Sequence, residues 1–246
     1  MASPLSQFEV KTIVPIEAFG YDISFTNSSL AMLMTVILVV LFMYICSRNL
    51  SIIPSRGQTV LESTYEFIAG MISDNIGQEG MKYFSFIFTL FLFILIGNLL
   101  GMFPYSFTWT SHIIVTFAIA FFIFIGVTII AIYKHGLLKF MAFFAPSGVP
   151  KPMLILLVPI EIISYLSRPV SLSVRLFANM MAGHTLLKVI GGFVFVLGAN
   201  TFIIGGILPL VFLIALTGLE IVIAFLQAYV FAILTCLYIN DAIHLH

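Results

Sequence analysis

The chain has 246 residues, of which 61% are hydrophobic and only 8% charged, whereas a soluble domain of this size carries about a quarter charged residues. That balance excludes the soluble classes and marks an integral membrane protein. Ten basic and ten acidic residues cancel, so there is no electrostatic footprint for nucleic acid, and Cys46 and Cys236 lie in apolar runs without metal-like or redox spacing.

Residues 1–27 are polar enough to stay outside lipid, with Pro4, Pro15 and Gly20 breaking any long helix, and they show neither a signal peptide nor a transit peptide. A first spanning helix is expected over 28–46, near the roughly 20 apolar residues that a bilayer requires. Residues 58–79 mix Val60, Leu61, Tyr65, Ile68, Met71 and Ile72 with Glu62, Glu66 and Asp74, a pattern that suits an amphipathic helix on the membrane surface. Spans over 83–103 and 112–133 follow, joined by a turn containing Pro104, and Gly136, Pro146, Gly148 and Pro150 break regular structure before Lys151.

The stretches 152–197 and 201–240 are apolar for some 40 residues each. A helix of 38 residues is about 57 Å long, against a hydrocarbon core of about 30 Å. Each stretch is then either two helices with a tight turn in the lipid or one helix tilted roughly 55–60°, well beyond the usual average of about 20°. Neither has a polar turn halfway and an unpaired turn in lipid is forbidden, so the tilted helix is preferred. The expected fold is an all-α polytopic membrane protein, a single membrane domain with about five embedded helices, one surface helix and a long, steeply tilted C-terminal hairpin. Arg48, Arg56, Lys82, Lys134, Lys139 and Lys151 fall on one side of the spans, which places the N-terminus outside and the basic loops inside.

Within 159–184, PIEIISYLSRPVSLSVRLFANMMAGH, a helical turn of roughly 100° per residue puts Glu161, Ser164, Arg168, Ser171, Arg175 and Asn179 on one stripe. Ionisable residues at this depth usually face a water-filled cavity, a partner or an ion path. If the hairpin turns near Gly198 to Thr201, positions at equal depth have numbers summing to roughly 400. Glu161 is then level with Asp241, Arg175 with Gln227, and His184 with Glu220. Arginine keeps its proton, so Arg175 reads as a fixed cation between two groups of proton-carrying residues. For Arg168 a structural ion pair with Glu161 stands as an equal alternative, as does a packing role for His184, Asn179 and Gln227. No metal cluster, nucleophile motif or phosphate loop is present, so no cofactor is expected.

RPVSLSVRLFANMMAGH closely resembles the essential-arginine motif of subunit a of the F-type ATP synthase, and LEIVIAFLQAYVFAIL resembles that family's last helix. SPLSQFEVK, FTLFLFILIGNLLGMFPYSF, YKHG and the ending AYVFAILTCLYINDAIHLH resemble its mitochondrial and alphaproteobacterial branch. The resemblance implies a stator subunit in a mitochondrial or bacterial inner membrane, whose hairpin wraps a rotating ring of c-subunits beside peripheral-stalk and other membrane subunits. It implies that Arg175 is the essential arginine, that His184 and Glu220 serve the outer proton path and Glu161 and Asp241 the inner one, and that Asn179 and Gln227 are polar neighbours of the arginine. Many other bacteria in the family carry glutamate and histidine in swapped order at the His184 and Glu220 positions. Ala178, Ala182 and Gly183 are expected to let ring helices approach. A stand-alone secondary transporter with an intramembrane Arg/Glu gate is the alternative; it calls for inverted repeats and broken helices, which the sequence does not show.

Overall fold

The computed structural model describes residues 8–18, 21–22, 24–48, 51–103, 106–144, 151–200 and 204–244. Four short strands, β1 (Thr12–Val14), β2 (Glu17–Ala18), β3 (Tyr21–Asp22) and β4 (Phe25–Thr26), precede seven α-helices. These are α1 (Asn27–Ser47), α2 (Arg56–Asn75), α3 (Phe84–Gly101), α4 (Ile113–His135), α5 (Leu137–Phe143), α6 (Lys151–Asn200) and α7 (Ile204–Ile243). The chain is all-α apart from two small antiparallel ribbons, β1 with β4 and β2 with β3. Five helical stretches are long and apolar enough to cross a membrane, and α2 is not among them. The protein is therefore an all-α polytopic membrane protein.

Local chemistry accounts for the ends of several elements. Thr26 caps α1 by accepting a hydrogen bond from the Ser29 amide, and Ser55 caps α2 through Gln58. Gly136 stops α4 with φ +80°, a left-handed conformation that costs glycine nothing. The prolines do not break the long helices: α6 runs for 50 residues through Pro159 and Pro169, and α7 for 40 through Pro209. At 1.5 Å per residue α6 is about 75 Å long. The expected turns at Pro104, at 146–150 and at Thr201 lie outside the described residues.

Two compact units divide the chain: Met1–Ile53, Phe91–His112 and Leu176–Tyr229 in one, and Pro54–Leu90, Ile113–Arg175 and Val230–His246 in the other. The first unit holds Trp109, fully buried, tilted against Phe93 and donating its indole N–H to Thr35 Oγ1 at 3.0 Å. Thr35 is equally buried, so this bond satisfies a polar pair that would otherwise be costly inside the unit. Gly97 lies against the indole so closely that any Cβ there would collide with the ring. Where α6 and α7 approach their facing ends, a Cβ on Gly206 would come within 3.1 Å of the Gly198 Cα.

The second unit is built around Tyr165, which packs against Phe124, Phe140 and Phe144 and shares a 2.7 Å hydrogen bond with Thr128. Residues 137–143 were expected to be irregular between breakers, yet they form α5. Its Phe140 has an aromatic wall to pack on, which a reading of breakers alone does not weigh. On α2, Ile68, Met71 and Ile72 are buried, whereas Glu62, Glu66 and Asp74 are exposed. Lys134 reaches Glu79 at 2.6 Å in the same unit.

Candidate functional site

In the first unit α6 and α7 run side by side and bring two of the singled-out residues together. His184 Nδ1 lies 3.3 Å from Glu220 Oε1, and both residues are buried. Gly183 makes the room: a Cβ there would sit 2.7 Å from Glu220 Oε1. Besides the close approach of outside helices expected from its size, Gly183 has this carboxyl group beside it. The contact falls within ion-pair range without hydrogen-bond alignment, so neither Glu220 oxygen has a hydrogen-bond partner among the described residues. A buried carboxyl left in that state asks for an explanation, and in a membrane helix it marks function by default.

Thr108 fixes the other side of the imidazole. Its hydroxyl hydrogen goes to the Gly101 carbonyl at 3.1 Å, so toward His184 Nε2, 3.2 Å away, Thr108 accepts. Nε2 therefore carries a hydrogen, and Nδ1 is the nitrogen free to exchange a proton with Glu220. Thr108 went unnoticed in the sequence, where its only signal was a small polar run, TWTS, beside an apolar span. Asn98 is a second such residue: it is fully buried and donates to the Ala224 carbonyl, one helical turn beyond Glu220.

Each member of this pair lines a different cavity. A larger one, of about 900 Å³, is lined by His184, Lys188, Asn27, Glu9 and Lys11 together with apolar residues of α1 and the 100–107 segment. A smaller one, of about 60 Å³, is lined by Glu220, Asn179 and Gly183 with leucines and Ile223. His184 thus faces one space and Glu220 the other, and the 3.3 Å contact links them. Gln227 lies two turns further along α7 in the same unit, half-buried.

The second unit holds a different cluster. Arg168 Nη1 donates to Asp241 Oδ2 at 2.9 Å, with its guanidinium 5.2 Å from the Tyr165 ring centroid and 5.1 Å from that of Tyr238. The alternative of an Arg168–Glu161 pair on one helix is not adopted, because Asp241 on α7 offers Arg168 a carboxylate between two aromatic faces. Glu161 is half-buried and Arg175 exposed, and neither makes a hydrogen bond or ion pair with a described residue.

Replacing Arg168 by Met should destabilise this unit by about 2 kcal/mol, between an exposed pair at 0–1 and a fully buried one at 3–5. Arg168→Lys should recover only part, since lysine lacks the planar fork that stacks between two rings. Thermal unfolding of the purified variants in detergent measures both; unfolding at the wild-type temperature in both variants counts against a structural pair.

The family model described as ATP synthase A chain matches residues 29–240. The chain belongs to the ATP synthase A chain family. It is 58% identical over 245 residues to ATP synthase subunit a of Pelagibacter ubique, covering 99% of this chain and 98% of that one. To the subunit a of Rhodospirillum rubrum it is 56% identical over 246 residues, and to that of Paramagnetospirillum magneticum 53% over 249, with both chains covered completely in each case. These relatives fit the branch that the sequence resembles. The ATP synthase A chain match spans α1 through most of α7, so it includes His184 and Glu220 and begins after the two ribbons.

Proposed function

We propose that this protein is the stator subunit in the membrane sector of an F-type ATP synthase, in a bacterial or mitochondrial inner membrane, and forms two proton half-channels against a rotating ring of c-subunits. One observation carries the reading: the buried His184–Glu220 contact joins a large cavity on one side to a small one on the other. A proton arriving in the large cavity passes from His184 Nδ1 to Glu220 and on past Asn179 to a ring carboxylate. That carboxyl group, once neutral, moves into lipid at low cost.

After nearly a full turn the same carboxyl group meets Arg175. The permanent cation favours its ionised form, and the released proton leaves through the inner path, where Glu161 carries it and Asp241, held by Arg168, borders the way. Each charge falling through the membrane potential releases about 2.3 kcal/mol per 100 mV, which biases rotation. Arg175 keeps the two paths apart because it cannot give up its own proton. Gln227 and Asn179 supply polar contacts near the arginine. In this reading α6 and α7 form the steeply tilted hairpin against the ring, α2 lies on the membrane surface, and peripheral-stalk and other membrane subunits hold the stator still.

Purification in mild detergent tests the assignment. The tagged chain should come out with an oligomeric ring of small hydrophobic subunits and a soluble ATPase head. Recovery as an isolated monomer or homodimer that still transports protons in vesicles would defeat it in favour of a self-sufficient transporter.

A further inference from the structure

The larger cavity of the first unit has a wall that the function above does not use. Four of its lining residues are ionisable: His184 and Lys188 on α6, and Glu9 and Lys11 on the N-terminal segment. The described residues of α1 and of the 100–107 segment that line it contribute none. Among the described residues Glu9 is thus the one carboxylate lining this space, which also holds two ammonium groups that disfavour the arrival of protons.

The Glu9 backbone is pinned in place. Asn27, the first residue of α1, donates from Nδ2 to the Glu9 carbonyl at 3.0 Å and accepts at Oδ1 from the Lys11 amide at 3.1 Å. The Asn27 amide donates to the Lys11 carbonyl at 3.1 Å, and Thr12 pairs with Thr26 in the β1–β4 ribbon just beyond. A two-stranded ribbon this short is marginal by itself in water. The side-chain clasp of Asn27 extends it back to Glu9, and Glu9 and Lys11 are the residues of this extension that line the cavity.

We propose that Glu9 is the proton-collecting carboxylate at the mouth of the outer half-channel, and that Asn27 is the positioning residue that holds it there. The inference rests on the half-channel reading above. Glu9 lowers the potential that Lys11 and Lys188 impose on the mouth and exchanges protons with the bulk, raising their supply to His184. A cleft lined by charge of the favourable sign raises the arrival rate of its ion by about 10-fold or more, and the gain shrinks as salt screens it.

The test uses the intact complex reconstituted in vesicles, with the rate of proton-driven ATP synthesis per assembled complex followed against outer pH and ionic strength. Glu9→Gln should lower the rate roughly tenfold at alkaline outer pH and low salt. The deficit should close as the outer medium is acidified, where capture no longer limits the rate, or as salt is raised. Glu9→Asp should restore most of the rate, and Asn27→Ala should reproduce the Glu9→Gln profile. A Glu9→Gln enzyme with the wild-type pH and salt profile, or one slowed equally at every pH and salt, overturns the proposal. Glu220→Gln measured in parallel separates the two ideas. If it still transports protons, the half-channel reading fails; if it does not and Glu9→Gln keeps the wild-type profile, only the role of Glu9 fails.

Discussion

Arg175→Ala should abolish ATP-driven acidification of inverted vesicles while leaving the complex assembled. Arg175 is exposed on an apolar helix and has no hydrogen-bond or ion-pair partner among the described residues. A charged residue at the centre of a spanning helix costs at least roughly 2.5 kcal/mol, and the proposed mechanism gives that charge its use on a ring carboxyl group outside the chain. In the proposed mechanism its loss removes the charge that ionises the passing ring carboxyl and also the divider between the two paths. Alanine should therefore do more than stop pumping: protons driven by an imposed gradient should cross more freely than in wild type, because a ring carboxyl can then exchange with both sides without a full turn. Arg175→Lys keeps a charge but should fail as well, since a desolvated lysine can release its proton and lacks the planar fork. Quenching of a pH-sensitive dye under ATP, and under a valinomycin-clamped potential without ATP, measures the two effects. Normal pumping in either variant sinks the role given to Arg175.

Much of this was legible before the structure, and what escaped shares one cause. Helix length and apolar content locate the spans because a bilayer imposes both directly, so α1, α3 and α4 fall within two residues of the stretches read from hydropathy. The meeting of His184 with Glu220 was also within reach, since two long unbroken helices joined by a short turn leave only one coarse register. Finer pairings were not. Arg168 chooses Asp241 over Glu161 because Tyr165 and Tyr238 frame the guanidinium from two helices, and no spacing within α6 carries that information. Thr108, Trp109 and Asn98 look like ordinary polar or aromatic residues at the edges of apolar runs. Their importance comes from partners 76, 74 and 126 positions away along the chain. Gly183 shows the same limit. A small residue in a membrane helix predicts a close approach but not what approaches, and here it is a carboxyl oxygen of the same chain.

Glu220→Gln should stop proton transport in both directions as completely as the loss of Arg175, with no gain in passive leak. Glutamine keeps the size and polarity of the side chain, so the packing against Gly183 and the approach to His184 survive, but an amide cannot hand a proton onward. Glu220 lines the small cavity and His184 the large one, so in the proposed path the carboxyl group is a step that no other described residue lining the smaller space can replace. His184→Ala should be less severe: it opens more room beside the large cavity, and water can bring a proton to Glu220 more slowly than Nδ1 does. The sharpest version exchanges the two residues, His184→Glu with Glu220→His. Either arrangement keeps one carboxyl and one imidazole across the junction, so the double variant should transport more protons than Glu220→Gln or His184→Ala alone. Against that, Thr108 is placed to accept from an imidazole N–H, and after the exchange its hydroxyl would have to turn from the Gly101 carbonyl to donate to a carboxylate. Partial recovery is the expected result. Equal loss in the exchanged and single variants would mean that the two side chains act separately, and the contact between the cavities would then have no part in moving the proton.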